Sequence, residues 1–317
     1  MTQGVRHSSA LRLDARAIVT AVAALVLGAS ACGPQAAAST TDSTAPRPIA
    51  GGTFEASGVA YVAGSNTVLF VDDGQRRDIF LMELTASGAQ RGSAVAIPLG
   101  AEVTDLEGIT SDGRRIYVVG SQSKKSGVDG DGLVRFTFDP ASRRATGVER
   151  IQGLKAWLAA NVAELRGTER RTGDDVLNIE GIAWDPNGSR LLLGLRAPVV
   201  DGQALIVPVR IVDTTGAFTR ENLKVDGATM RVNLDGAGIR SLEYDDQAKA
   251  FWIITGAGLN DENRDFRVVH WDGQEGPVRE LSSYSRQLKP EGIVRAAIDG
   301  QPVRVIVFDT GGFLVER

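Results

Sequence analysis

Charged and hydroxyl residues recur at matching places in five segments of the chain. Each segment has a polar residue, then a small residue, then an apolar run that ends in a turn. The polar residues are Ser57, Glu107, Glu180, Arg240 and Glu291. Equivalent positions of a repeat lie at equivalent places in the structure, so these side chains are expected to meet at one face.

A second polar region follows the next apolar run of each segment. It supplies Asp72, Asp73, Ser121, Lys124, Arg196 and Asp309. If the apolar runs are antiparallel strands, the loop after the second strand lies at the same end as the start of the first. The sequence therefore predicts one surface that is rich in carboxylates and contains two arginines.

Carboxylates that face one another repel, so their proximity requires an offsetting charge. Arg196 and Arg240 can supply it through forked hydrogen bonds, and we favour this interpretation because the partners are present in the sequence. A bound Ca²⁺ is the alternative, since this ion prefers several oxygen ligands. In that case the ligands are Glu107, Glu180, Glu291 and Asp309.

Two functions are compatible with this surface. The first is binding of a small polar or anionic ligand by Ser121, Lys124, Arg196, Arg240, Glu107, Glu180 and Glu291. The alternative is Ca²⁺-dependent hydrolysis of a phosphoester, in which a metal-bound water attacks and the arginines stabilise the developing negative charge. The sequence leaves open which of the two applies, and therefore whether the protein is an enzyme.

Mechanisms that depend on histidine or cysteine are disfavoured. The chain has two histidines and one cysteine. His7 and Cys32 lie in an N-terminal segment with a separate role, and His270 lies in an alternating sequence that is typical of a strand. Ser-His-Asp and Cys-His catalysis and a zinc site therefore lack their usual residues.

The repeat also predicts the fold. Each segment continues with a third apolar run, and four segments continue with a fourth. Four-stranded sheets repeated around an axis form a β-propeller, so we predict an all-β protein with five blades. Long stretches after the second and third segments leave room for a sixth. The residues before Ser57 are expected to complete the last blade, and residues 154–167 are predicted to form one inserted helix.

The N-terminus has the features of an export signal. Arginines precede an apolar run at residues 17–27, and small residues lead to Cys32. The run is shorter than the ~20 residues that span a bilayer, so residues 1–31 are interpreted as a signal peptide and Cys32 as a lipidation site. Secretion without a lipid is the alternative. Residues 32–49 are predicted to form a flexible tether, and residues 50–317 the propeller.

These features predict an exported protein that faces the periplasm or the cell surface. Its contact with the membrane would be through the lipid on Cys32 alone. The chain has a formal net charge of −4 and no cluster of basic residues, so nucleic acid is not an expected partner.

The motifs LEGITSDG, LNIEGIAWDPNG, GIRSLEYD and KPEGI, in this order, resemble the bacterial domain of unknown function 3616 family. The resemblance runs from about Ser57 to Asp309 and implies a propeller-like fold without an established activity. More distantly, the EGI strand starts look like those of propellers called phytase-like or esterase-like, some of which hold Ca²⁺. Such a resemblance implies a fold more strongly than a function.

Overall fold

The computed structural model describes residues 45–124, 131–256 and 263–317. These residues form five antiparallel sheets, which are the blades of a β-propeller. The five-bladed prediction is confirmed. The predicted signal peptide and Cys32 lie outside the described residues.

In the first, second and fourth blades the strands pair in chain order from the inner edge to the outer edge. An N-terminal strand, β1 (Arg47–Pro48), belongs to the last blade. Blade one comprises β2 (Ala56–Val62), β3 (Thr67–Asp72), β4 (Asp78–Leu84) and β5 (Gln90–Pro98). Blade two comprises β6 (Leu106–Ser111), β7 (Ile116–Gly120), β8 (Gly132–Asp139) and β9 (Arg144–Gln152).

The third blade has a divided outer edge, because two short strands pair with different parts of its third strand. It comprises β10 (Asn178–Asp185), β11 (Arg190–Ala197), β12 (Gln203–Ile211), β13 (Leu223–Val225) and β14 (Met230–Asn233). Blade four comprises β15 (Gly238–Asp245), β16 (Ala250–Gly256), β17 (Phe266–Trp271) and β18 (Arg279–Tyr284). Blade five comprises β19 (Pro290–Ile298), β20 (Gln301–Phe308), β21 (Gly312–Glu316) and β1.

The N-terminal strand closes the ring, as the sequence predicts. Arg47 pairs with Phe313 and Pro48 with Gly312, and the Arg47 guanidinium lies 5.1 Å from the centre of the Phe313 ring. Ile49 is buried beside them. The last blade therefore includes the final residues of the segment predicted as a tether.

Apolar side chains fill the space between each pair of neighbouring blades. The second strand of a blade is covered on both faces, which explains its continuous apolar sequence. Residues 191–193 of β11 and residues 305–308 of β20 are completely buried. Five separate hydrophobic cores result, one for each pair of neighbouring blades.

The inserted helix is shorter than predicted. Helix α1 (Leu154–Asn161) ends where Val162 adopts an extended conformation, with φ −118° and ψ 119°. A 3₁₀ turn, Ala163–Leu165, lies in the rest of the predicted helix, and a second, Thr168–Arg170, follows its predicted end. Leu158 and Leu165 are nevertheless buried in the core between blades two and three, so the predicted apolar face is used.

No helix among the described residues is long and apolar enough to cross a membrane.

Candidate functional site

The start of every inner strand contains a β-bulge. In β2 the irregularity lies between Ala56 and Val59 and includes Ser57. In the other inner strands the residue without a ladder partner is Glu107, Glu180, Arg240 or Glu291. A bulge interrupts the ladder and redirects a side chain. The five residues predicted to meet therefore share one backbone irregularity at one end of the channel, which we call the channel mouth.

Small residues next to the bulges allow the inner strands to approach closely. A Cβ atom on Gly58 would lie 2.7 Å from the carbonyl oxygen of Glu107. A Cβ atom on Gly292 would lie 2.8 Å from the carbonyl oxygen of Ser57. Both distances are too short for a side chain, so the small residue of the repeated motif is required by the packing of neighbouring blades.

Arg240 joins two carboxylates across the channel mouth. Its Nη1 donates to Glu180 Oε2 at 3.0 Å and to Glu291 Oε1 at 2.8 Å. Arg196 Nη1 donates to the second oxygen of Glu180 at 2.9 Å. All four side chains are largely buried. The structure therefore contains the arginine–carboxylate pairing that we favoured from the sequence.

Glu107 lies close to Glu180 and Glu291, and it makes no arginine contact among the described residues. Burial raises the pKa of Glu107 well above the usual range, and the charges of Glu180 and Glu291 raise it further. Burial also raises the pKa of Glu291 to about 8, although Arg240 acts in the opposite direction. Both carboxyl groups therefore bind a proton more readily than an ordinary glutamate does.

A second layer of acidic groups surrounds the channel mouth. Asp105 Oδ2 accepts hydrogen bonds from the hydroxyl groups of Ser121 and Ser123. Lys289 is paired with Asp309 on the opposite side. The local charge is thus negative, and the basic groups within it are already paired.

Asp73 is a proton-binding group in this layer. Burial raises the pKa of Asp73 to about 7, and a hydrogen bond to Glu55 and the charges of Glu55, Asp309 and Asp105 add to the shift. Asp73 therefore exchanges a proton near neutral pH.

Several buried polar atoms at the channel mouth have no hydrogen-bond partner in the described protein. Eleven such side-chain atoms occur in the described residues. Five of them are at the mouth: Ser57 Oγ, Asp73 Oδ1, Asn178 Oδ1, Arg196 Nε and Arg240 Nε. Buried polar atoms are normally hydrogen-bonded, so this concentration indicates a place where water or a ligand binds.

The structure gathers most of the predicted ligand-site residues but not all of them. Ser121 is at the mouth, where it contacts Asp105. Lys124 has an exposed side chain, and its carbonyl oxygen accepts a hydrogen bond from Lys155 Nζ at 2.8 Å. Asn178 was absent from the prediction, although it lies two residues before Glu180 and on the same side of an extended strand.

Three of the four predicted calcium ligands are paired with basic side chains. The guanidinium of Arg240 lies between Glu180 and Glu291, and Asp309 is paired with Lys289. Within residues 45–124, 131–256 and 263–317, no group of three acidic or histidine side chains is arranged to hold a metal. Arg240 supplies the positive charge that a cation would supply there.

Residues 169–298 match the family described as protein of unknown function (DUF3616). The match confirms the resemblance over these residues, a shorter range than the sequence motifs suggest, and includes Glu180, Arg240 and Glu291. No protein of curated function matches the chain.

Solved structures similar to this one share little sequence with it. The holo form of the pyranose dehydrogenase PQQ domain from Coprinopsis cinerea is 12% identical, with TM-score 0.48, over 85% of this chain and 94% of that one. The soluble aldose sugar dehydrogenase from Escherichia coli is 12% identical, with TM-score 0.45, over 85% and 98%. The periplasmic gluconolactonase of Pseudomonas aeruginosa is 11% identical, with TM-score 0.40, over 82% and 83%. Similarity at this level concerns the backbone alone.

Proposed function

We propose that the protein binds a small, uncharged ligand with several hydroxyl groups at the channel mouth. The supporting observation is the group of buried polar atoms without protein partners. Asn178 Oδ1 can only accept a hydrogen bond, and Arg240 Nε can only donate one. A hydroxyl group can do both, so a sugar or another polyol matches this mixed set of neighbours.

The charge of the channel mouth favours a neutral ligand over the anionic one that the sequence also allowed. The basic groups Arg196, Arg240 and Lys289 are already paired with carboxylates. An anion would have to displace such a pair and approach the remaining carboxylates, which costs electrostatic energy. A neutral polyol requires neither change.

Thermal unfolding of the full-length protein with glucose, maltose and glucose 6-phosphate tests this proposal. A ligand at a hundred times its dissociation constant stabilises a protein by about 2.7 kcal/mol. We expect at least one neutral sugar to raise the melting temperature, and the phosphate to have a smaller effect. Asn178→Ala should reduce the shift, whereas Asn161→Ala, at the exposed end of α1, should leave it unchanged.

Two outcomes contradict the proposal. A larger stabilisation by glucose 6-phosphate than by glucose would favour the anionic ligand of the sequence prediction. Equal shifts in the wild type and in Asn178→Ala would place binding elsewhere in the molecule.

Export and lipidation are part of the same proposal, and they rest on the N-terminal sequence. Mass spectrometry of the protein produced in a bacterial host should find cleavage before Cys32 and a lipid on its sulfur. Cys32→Ala should move the protein from the membrane fraction to the soluble fraction. A variant that stays with the membrane would contradict attachment through this residue.

A further inference from the structure

A cavity of about 420 Å³ lies at the end of the channel opposite the mouth. We call it the lower cavity. The ends of the inner strands β2, β6, β15 and β19 and the turns that follow them form its walls. Its lining includes Tyr61, Ser111, Glu243, Tyr244 and Arg295. The volume is in the range of small-molecule binding sites.

Glu243 is the acidic group of this cavity that lacks a basic partner. Backbone N–H groups of Arg295 and Tyr244 donate to its carboxylate, and none of the ion pairs within the described residues includes it. The guanidinium of Arg295, which lies in the same wall, is held instead by Asp245 at 2.8 Å and Asp246 at 3.2 Å. A cation that enters the cavity would therefore find a carboxylate without a competing arginine.

Aromatic and aliphatic side chains complete the walls. Tyr61 is fixed by a hydrogen bond from its hydroxyl group to Ala297 O at 2.9 Å. The Tyr244 ring packs edge-on against Phe251, with ring centres 5.2 Å apart. Aromatic faces attract ammonium groups, and Val294 and Ala296 in the same lining can contact their carbon substituents.

We infer that the lower cavity binds a small organic ammonium ion. Its positively charged nitrogen would lie next to the carboxylate of Glu243, and its carbon atoms would contact Tyr61 and Tyr244. This site is separate from the polyol site proposed at the mouth. The two sites contain different residues of the same inner strands, since β15 carries Arg240 at its start and Glu243 near its end.

The affinity of the lower cavity for a cation should depend on pH. Burial raises the pKa of Glu243 to about 8, and the charges of Asp245 and Asp246 raise it further. Arg295 and the hydroxyl group of Tyr61 are the charged or titratable groups that face the cavity from β19 and β2. A cation requires ionised Glu243, so affinity should increase about thirty-fold between pH 6.5 and pH 9.

Isothermal titration of the full-length protein with choline tests the inference, since choline keeps its charge over this pH range. Its uncharged isostere 3,3-dimethylbutan-1-ol is the control ligand. We expect choline to bind more tightly than the alcohol and to gain affinity from pH 6.5 to pH 9. Glu243→Gln should lower choline affinity at pH 9 at least ten-fold and abolish the pH dependence. Asn161→Ala, at the exposed end of α1, should change neither.

Absence of choline binding at pH 9 would overturn the inference. Equal affinity for choline and the alcohol would also overturn it, because the carboxylate would then have no role. Circular dichroism of Glu243→Gln distinguishes lost binding from lost folding. If a sugar still raises the melting temperature of this variant, sugar binding at the mouth does not depend on choline binding in the lower cavity.

Discussion

The two ends of the channel use charge in different ways. At the mouth, Arg240 contacts carboxylates from two other blades, and these ion pairs link three inner strands. In the lower cavity, Arg295 is paired with Asp245 beside it, and Glu243 lacks a basic partner. One inner strand, β15, therefore contributes a paired charge at its start and a carboxyl group without a basic partner near its end.

The largest expected effect comes from breaking the pairing at the mouth. Arg240→Ala would leave Glu180 and Glu291 buried without their shared cation, and loss of one partner of a buried ion pair costs ~3 kcal/mol or more. We expect a loss of that size in urea unfolding at pH 7. The loss should shrink as the pH falls, because protonation of the carboxylates removes their repulsion.

Arg210→Ala is the matched control for this experiment. Arg210 pairs with Asp226 at 2.8 Å, but its side chain is 40% exposed. Exposed ion pairs contribute little, so its removal should cost much less than the removal of Arg240. A similar loss in both variants, or an Arg240→Ala loss that is constant with pH, would contradict the structural role of Arg240.

A smaller effect is expected from the residue that holds the loop beside Ser121. Lys155 is completely buried, and its Nζ donates to the carbonyl oxygens of Lys124 and Arg171, each at 2.8 Å. Lys155→Met would leave both oxygens without this donor, at a cost of about 2 kcal/mol. Hydrogen exchange should become faster in residues 121–124. Unchanged stability and exchange would show that this contact does not position the loop.

At the other end of the channel, Glu243→Gln should change how stability depends on pH. The pKa of Glu243 is about 8 in the folded protein, against an ordinary value of 4.5. The folded state therefore binds an extra proton, and the free energy of unfolding should fall as the pH rises from 4.5 to 8.

Glutamine removes this contribution, so between pH 5 and pH 9 the free energy of unfolding should fall more in the wild type than in the variant. Denaturant unfolding at the two pH values measures the difference. An equal change in the free energy of unfolding of both proteins between the two pH values would show that Glu243 has the pKa of an ordinary glutamate.

The smallest effect is expected for Lys124→Ala. The side chain of Lys124 is exposed, and the contact with Lys155 uses its backbone carbonyl, which alanine retains. Stability should change by less than about 0.5 kcal/mol, and the sugar response of the mouth should persist. Loss of the sugar response would show that Lys124 belongs to the ligand site, as the sequence predicts.

Much of the fold follows from sequence periodicity. The five repeated segments predict five blades because each polar–small start is followed by apolar runs of strand length. The end of α1 was less predictable, because Val162 and Leu165 have the spacing of a helical apolar face. In the structure Val162 is extended and Leu165 lies in a 3₁₀ turn, yet both pack on the same core. A side chain can reach one core from more than one backbone conformation.

The residues of the mouth could be predicted because equivalent repeat positions converge. Which arginine pairs with which carboxylate could not be predicted in full. The sequence suggests that arginines neutralise the carboxylates, and the structure adds that Arg240 serves Glu180 and Glu291 together while Glu107 has no arginine contact. Strand alternation directs Glu243 to the side of β15 away from Arg240, so the repeat pattern of the mouth does not include it. Only the packing of β15 against β19 reveals the cavity that it lines.

We propose that Arg240 holds the mouth together and that the mouth binds a neutral polyol. A crystal structure of the protein with the sugar that stabilises it most would test this claim directly. We predict sugar hydroxyl groups at about 3 Å from Asn178 Oδ1 and Ser57 Oγ, with Arg240 still bonded to Glu180 and Glu291. A metal ion coordinated by Glu107, Glu180 and Glu291, with Arg240 displaced, would contradict it.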